Sequence, residues 1–184
     1  GGGGGGGAAG SEPGDGPGLG LLFAGGAVPV PGGTVQRGTT GDALYTNSTI
    51  ALDARTGEIV WHFQHLPGDE FDQDHPFERI IVETEVAPDA SEVDWINPAI
   101  TPGERRKVVT GIPGKPGIIW TLDAATGDFL WARPTHFQTV IVGVDIEGRK
   151  GSLNPELKNP ENRPEVLEIG RASGRERGEI SGAA

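Results

Sequence analysis

The chain has no cysteine and no methionine, a single tyrosine, and no stretch of eighteen consecutive apolar residues. The first absence excludes a disulfide framework and thiolate metal sites. The last leaves nothing of transmembrane length. Positive charge is scarce as well: 15 Lys and Arg stand against 26 Asp and Glu, a net charge of −11. The longest basic cluster is Arg105-Arg106-Lys107. Such a surface repels polyphosphates and anionic lipids, so nucleic acid and membrane surfaces are not expected partners. Sustained helical periodicity is missing too, which argues against helix bundles and α/β folds.

Glycine is abundant, with 32 of 184 residues. Residues 1–17 are mostly glycine and carry too little apolar surface to offset chain entropy, so disorder is expected there. A start on polyglycine without methionine is the pattern of a fragment. Leu19 to Pro31 is the most apolar early stretch, but Gly and Pro interrupt it and no cationic segment precedes it, unlike a signal peptide. From about Gly148 the chain turns polar, and residues 148–167 read as a loop. Glu168-Ile169-Gly170-Arg171-Ala172-Ser173-Gly174-Arg175-Glu176-Arg177 resembles a translated sequencing-adapter read-through, so 168–184 reads as a non-native tail. Residues 18–147 remain to build a core, with both ends expected to be disordered.

Within that span one phrase occurs twice. Ala51-Leu52-Asp53-Ala54-Arg55-Thr56-Gly57-Glu58-Ile59-Val60-Trp61 returns about seventy residues later as Thr121-Leu122-Asp123-Ala124-Ala125-Thr126-Gly127-Asp128-Phe129-Leu130-Trp131. Constant internal spacing in a repeated segment signals modular repeats rather than one undivided core. Asp-x-x-Thr-Gly between two β-rich runs is a hairpin signal: the aspartate accepts backbone N–H bonds and the glycine supplies positive φ. Short strands are expected at Leu21–Ala24, Leu44–Leu52, Glu58–Phe63, Glu78–Val86, Lys107–Thr110, Gly117–Leu122 and Phe137–Val144. Together they indicate an all-β repeat architecture. The matched tryptophans, Trp61 and Trp131, have the form of large flat rings that dock between adjacent radial sheets.

Both copies resemble the tryptophan-docking motif of the quinoprotein alcohol dehydrogenases, eight-bladed β-propellers that carry pyrroloquinoline quinone (PQQ). The resemblance covers about residues 40–145. Leu44-Tyr45-Thr46-Asn47-Ser48 is similar to the strand preceding the motif. Trp61-His62-Phe63-Gln64-His65-Leu66-Pro67-Gly68-Asp69-Glu70-Phe71-Asp72 resembles the family's Trp-x-x-Gln-x-x-Pro-x-Asp-Glu-Trp-Asp. Gly114-Lys115-Pro116-Gly117-Ile118-Ile119-Trp120-Thr121-Leu122-Asp123 is similar to the segment that brings a basic residue to the quinone. The resemblance implies a partial β-propeller, two to three blades of the eight. It also implies a fragment of an enzyme that oxidises a primary alcohol by hydride transfer to PQQ.

Glu70-Phe71-Asp72-Gln73-Asp74 is the densest constellation of charge. On an extended backbone, residues two apart face the same side, so Asp72 and Asp74, with Glu70, would present their carboxylates together. Close carboxylates repel unless a proton or cation intervenes, and they suit a hard metal ion; a solvated acidic loop is the alternative. By resemblance, Asp72 is the catalytic general base beside quinone and metal. Asp74 falls where lanthanide-using members carry a second aspartate and calcium-using members a smaller or neutral residue. The implied metal site is therefore Asp72 with Asp74, holding a lanthanide or calcium ion. Lys115 matches the cation that hydrogen-bonds a quinone oxygen.

The four histidines, His62, His65, His75 and His136, match no helix-borne zinc motif; His62 and His65 are expected near the site entrance. Where many members have Gly-Asn-Pro, whose asparagine binds the metal, this chain reads Gly25-Gly26-Ala27-Val28-Pro29. Ala87 to Thr101 looks like an insertion. The resemblance further implies a small alcohol substrate, a c-type cytochrome as electron acceptor and a periplasmic location. The competing reading is a non-catalytic propeller scaffold of the outer-membrane assembly type, which would keep the tryptophans without needing Asp72, Asp74 and Lys115.

Overall fold

The computed structural model describes residues 14–16, 18–31, 38, 41–158 and 162. The expectations for 1–13 and for the 168–184 tail lie outside the described residues. Eleven strands and one 3-10 helix are described. The strands are β1 (Gly14–Gly16), β2 (Leu21–Gly25), β3 (Ser48–Asp53), β4 (Ile59–Gln64), β5 (Ile80–Val86), β6 (Trp95–Ile96), β7 (Glu104–Gly111), β8 (Ile118–Asp123), β9 (Phe129–Pro134), β10 (Ile141–Asp145) and β11 (Lys150–Leu153). No helix among the described residues is long and apolar enough to cross a membrane.

The strands form two sheets, ordered β1-β2-β3-β4-β11-β10 and β5-β7-β8-β9-β6. β1 to β4 make an antiparallel meander, and β11 joins β4 in parallel through the single pair Lys150↔Gln64. The second sheet repeats the plan with β5, β7, β8 and β9. The chain is therefore all-β, with two blades and a further hairpin.

Each copy of the repeated phrase closes a hairpin in the same way. Asp53 Oδ1 accepts the N–H groups of Arg55 and Thr56 at 2.8 and 2.9 Å, and Gly57 turns the chain at φ +73°. Asp123 Oδ1 accepts those of Ala125 and Thr126 at 2.9 and 3.1 Å, with Gly127 at φ +74°. Even the register shift recurs, between Ala51 and Leu52 and between Thr121 and Leu122.

The first tryptophan links the sheets. Trp61 is only 4% exposed, and its Nε1 donates to the Ala124 carbonyl at 3.2 Å. Its ring covers Gly127 so closely that a Cβ there would lie 2.5 Å from Trp61 Cδ2. Gly57, the matching residue of the first copy, has nothing within 4 Å, and Trp131 is only half-buried. One blade's ring thus seats on the next blade's turn. Behind it, Phe63 stacks on Phe129 at 6.1 Å and tilts against Trp120 at 5.4 Å, joining both sheets in one core.

Two expectations are corrected. β3 begins at Ser48 rather than Leu44, because Ala43, Tyr45 and Asn47 take positive φ and make 43–47 a turn. The polar loop expected over 148–167 contains β11 and a 3-10 helix, Pro155–Lys158. Lys, Ser and Asn alternate with the few apolar residues there, yet Leu153 packs on the core and Leu157 is buried. Within the start expected over 1–17 to be disordered, only Gly14–Gly16 is described, as β1 paired with β2. The insertion-like Ala87–Thr101 supplies β6, which extends the second sheet along β9, while Trp95 stacks on Trp120 at 6.4 Å.

Candidate active site

The segment after β4 leaves the first sheet and turns toward the second, carrying the acidic cluster with it. It does not run extended: φ is +58° at Asp72 and +22° at Asp74. The two carboxylates reach one place through this coiled backbone rather than by strand alternation, which corrects the expected geometry. Lys115 meets them there. Its Nζ donates to Asp72 Oδ2 at 2.9 Å, to the Asp72 carbonyl at 2.7 Å, and pairs with Asp74 Oδ2 at 2.9 Å. Glu70 is exposed and outside this ion cluster.

The lysine is placed by backbone as well as charge. Its N–H donates to the Gln73 and Asp74 carbonyls at 3.1 and 3.2 Å. Gly114 permits this approach, since a Cβ there would stand 2.3 Å from the Asp74 carbonyl oxygen and 2.6 Å from the His75 ring. Gly25–Pro29, where no asparagine is available, approaches the same group: the Val28 N–H donates to Asp74 Oδ1 at 3.3 Å.

Burial pushes the Asp74 carboxyl up, but the Lys115 ammonium and the Val28 N–H outweigh it and hold the carboxyl below its ordinary value. Burial pulls Lys115 down, and hydrogen bonds and charge from Asp72 and Asp74 reverse this, leaving it above the usual lysine value. Lys115 is thus held as a cation beside the Asp74 carboxylate. Asp72 stays the most open member, with a side chain 71% exposed.

Behind the loop lies a buried polar layer with little signal in the sequence. His65 and His75 stack at 5.5 Å, 8° from parallel, and both are buried. Burial, then the Arg79 charge, pushes His75 down to about 3, with Asp74 opposing. Burial, with His75 and Arg79, drives His65 well below the usual value, so this pair is neutral. His65 thus sits inside, not at an entrance. Arg79 donates to the Ser48 and His75 carbonyls at 3.1 and 2.7 Å, to Thr49 Oγ1 at 3.1 Å, and to the Phe77 carbonyl. Burial lowers it to about 10. Asp69 is likewise buried, against Asn47. Val28, Asn47, Asp69 and Arg79 were missed as site-builders; only the Asp-Glu-Phe-Asp run hinted at Asp69.

A partly exposed ammonium at Lys115 fits a quinone oxygen as a hydrogen-bond and charge partner. The fit to a metal is partial. Two carboxylates have the right donor chemistry for a hard cation, but such ions take about six to eight oxygens. No group of three or more His, Cys, Asp or Glu placed to hold a metal occurs among the described residues.

Sheets locked ring-on-turn, with a carboxylate–ammonium cluster at the crossing between them, define a propeller of the tryptophan-docked class. The family described as "PQQ: Glucose/ethanol/alcohol dehydrogenase, beta-propeller domain" matches residues 17–132, and the chain belongs to it. It is similar to the 1-butanol dehydrogenase (cytochrome c) of Thauera butanivorans, 32% identical over 139 residues, which are 73% of this chain and 16% of that protein. Among solved structures, quinohemoprotein alcohol dehydrogenase ADHIIG from Pseudomonas putida HK5 superposes with a TM-score of 0.69 at 30% identity, covering 91% of this chain and 22% of that one. A europium-containing methanol dehydrogenase gives 0.67 at 22% identity over 83% of this chain and 23% of that one, a likeness of fold. The chain spans 14% to 16% of the length of the first curated relatives it matches. It is a partial propeller.

Proposed function

We propose that the chain is part of a PQQ-dependent alcohol dehydrogenase that oxidises a primary alcohol, and that it contributes the base and the quinone-binding cation. The observation that carries this reading is the convergence of Asp72 and Asp74, each 2.9 Å from the Lys115 ammonium. When bound, PQQ supplies the acceptor for the hydride leaving the alcohol carbon. Asp72 takes the hydroxyl proton, so the alcohol leaves as an aldehyde with the proton on the carboxylate. Lys115, kept protonated by its carboxylates, offers positive charge where a quinone oxygen gains electron density. Asp74 holds Lys115 in place, and with Asp72 contributes part of the oxygen shell for a lanthanide or calcium ion. The electron acceptor of the parent would be a c-type cytochrome in the periplasm.

A propeller scaffold would need the Trp61 seat but not a cation fixed between two carboxylates. The test is to load the full-length parent with PQQ and either calcium or a lanthanide, and to follow reduction of an artificial acceptor by a primary alcohol. Turnover that Asp72→Asn abolishes supports the reading. A parent that binds no PQQ and turns over nothing overturns it, and equal turnover with calcium alone rejects the preference for a lanthanide that a second aspartate at 74 implies.

A further inference from the structure

Asp69 is 3% exposed, an unusual place for a carboxylate. Its Oδ1 accepts the Phe71 N–H at 2.8 Å, and its Oδ2 accepts the Gln73 N–H at 2.7 Å and the Asn47 side-chain amide at 3.0 Å. The two backbone donors flank Asp72 on either side. Asn47 is itself fully buried: its N–H donates to the Ala27 carbonyl at 3.0 Å, and its own carbonyl accepts the His65 N–H at 2.8 Å. Asp69 thus ties the loop to the framework that carries β3 and β4.

We propose that Asp69 is a positioning residue for the reaction, its buried carboxylate holding the coiled backbone at Asp72 so that the base and the Lys115 ammonium face one site. The inference rests on the alcohol dehydrogenase reading. Left-handed backbone at a non-glycine residue persists only where the surroundings over-determine it. Two N–H bonds to one carboxylate, at positions 71 and 73, supply that constraint at position 72. The Asp72 carbonyl is thereby aimed at Lys115 Nζ, 2.7 Å away. Asp69→Asn keeps the volume but replaces an acceptor with a donor, which must face either the Phe71 N–H or the Gln73 and Asn47 donors.

Two measurements on the full-length parent test this. In the unaltered protein, without PQQ, the amides of Phe71 and Gln73 should exchange hydrogen at least about tenfold more slowly than that of Asp72. In Asp69→Asn their exchange should accelerate by a similar factor while β3 and β4 stay protected. The loaded variant should lose about 10²-fold in kcat with little change in KM, as a misplaced base does. Equal exchange at 71, 72 and 73 in the unaltered protein overturns the proposal, and this comparison decides even if the variant does not fold. A folded variant with accelerated exchange and unchanged kcat also overturns it. If the unaltered parent has no PQQ-dependent turnover, the alcohol dehydrogenase reading fails, and Asp69 loses its role in that reaction whatever the exchange pattern.

Discussion

The seat of Trp61 on Gly127 can be tested by a double-mutant cycle. Gly127 is at φ +74°, where an alanine costs about 1–2 kcal/mol in backbone strain alone. An added Cβ would also stand 2.5 Å from Trp61 Cδ2 and Cε3, about 1 Å inside ordinary carbon contact. The ring, 4% exposed and hydrogen-bonded to the Ala124 carbonyl, can retreat only by repacking the core, a further cost of about 1–3 kcal/mol. Gly127→Ala should therefore destabilise by about 2–5 kcal/mol in total. Trp61→Ala alone should cost about 3–5 kcal/mol through the lost ring. Once the ring is gone, Gly127→Ala should cost only the strain, giving a coupling of about 1–3 kcal/mol. Urea unfolding of the four proteins measures each term. Additive costs, with coupling below about 0.5 kcal/mol, would refute the docking of ring on turn.

Lys115→Met should remove activity from the loaded parent while changing stability by no more than about 1 kcal/mol, because the cluster is partly exposed and screened; equilibrium unfolding beside turnover checks both. Between pH 6.5 and about 4, stability should fall as pH falls. The buried histidines have lowered folded-state values, so their contribution is present above the unfolded value of about 6.5 and is lost on acidification. The slope should approach about 1.4 kcal/mol per pH unit for His75, with His65 adding in the same direction, offset in part where Asp69, raised first by burial, takes up a proton in the folded state. Urea midpoints across that range that do not change with pH would contradict this account. Arg79→Lys should cost about 2–4 kcal/mol in chemical denaturation, since a lysine cannot reach the Ser48, Thr49 and His75 oxygens together.

What was legible in the sequence was whatever has a short-range mechanism. Asp-x-x-Thr-Gly specifies its own turn, so both hairpins and the tryptophan seat could be read from spacing. Pairing of β3 with β4 and of β8 with β9 followed, because each of those turns joins its two strands directly. Less legible was structure set by distant partners. β11 forms a hairpin with β10, meets β4 at one bridge and packs Leu153 on the core, but its residues are mostly polar, so its local sequence reads as polar loop. The turn over 43–47 depends on positive φ at Ala43, Tyr45 and Asn47, and Tyr45 in particular signals strand rather than turn. The carboxylates at 72 and 74 were expected together for the wrong local reason, because alternation assumes an extended chain. Their meeting depends on Asp69 and Lys115, one three residues before Asp72 and the other on the far side of β7. The buried His65–His75–Arg79 layer had no periodic or spacing signature, since each member is fixed by tertiary packing.

The central claim is that the groups at 72, 74 and 115 converge on one redox centre. A structure of the intact parent with PQQ bound measures this directly. The expected result is Lys115 Nζ within hydrogen-bond distance of a quinone oxygen, with the Asp72 carboxylate beside the same ring and open to substrate. PQQ bound elsewhere, with the Lys115 cluster facing solvent, would contradict it.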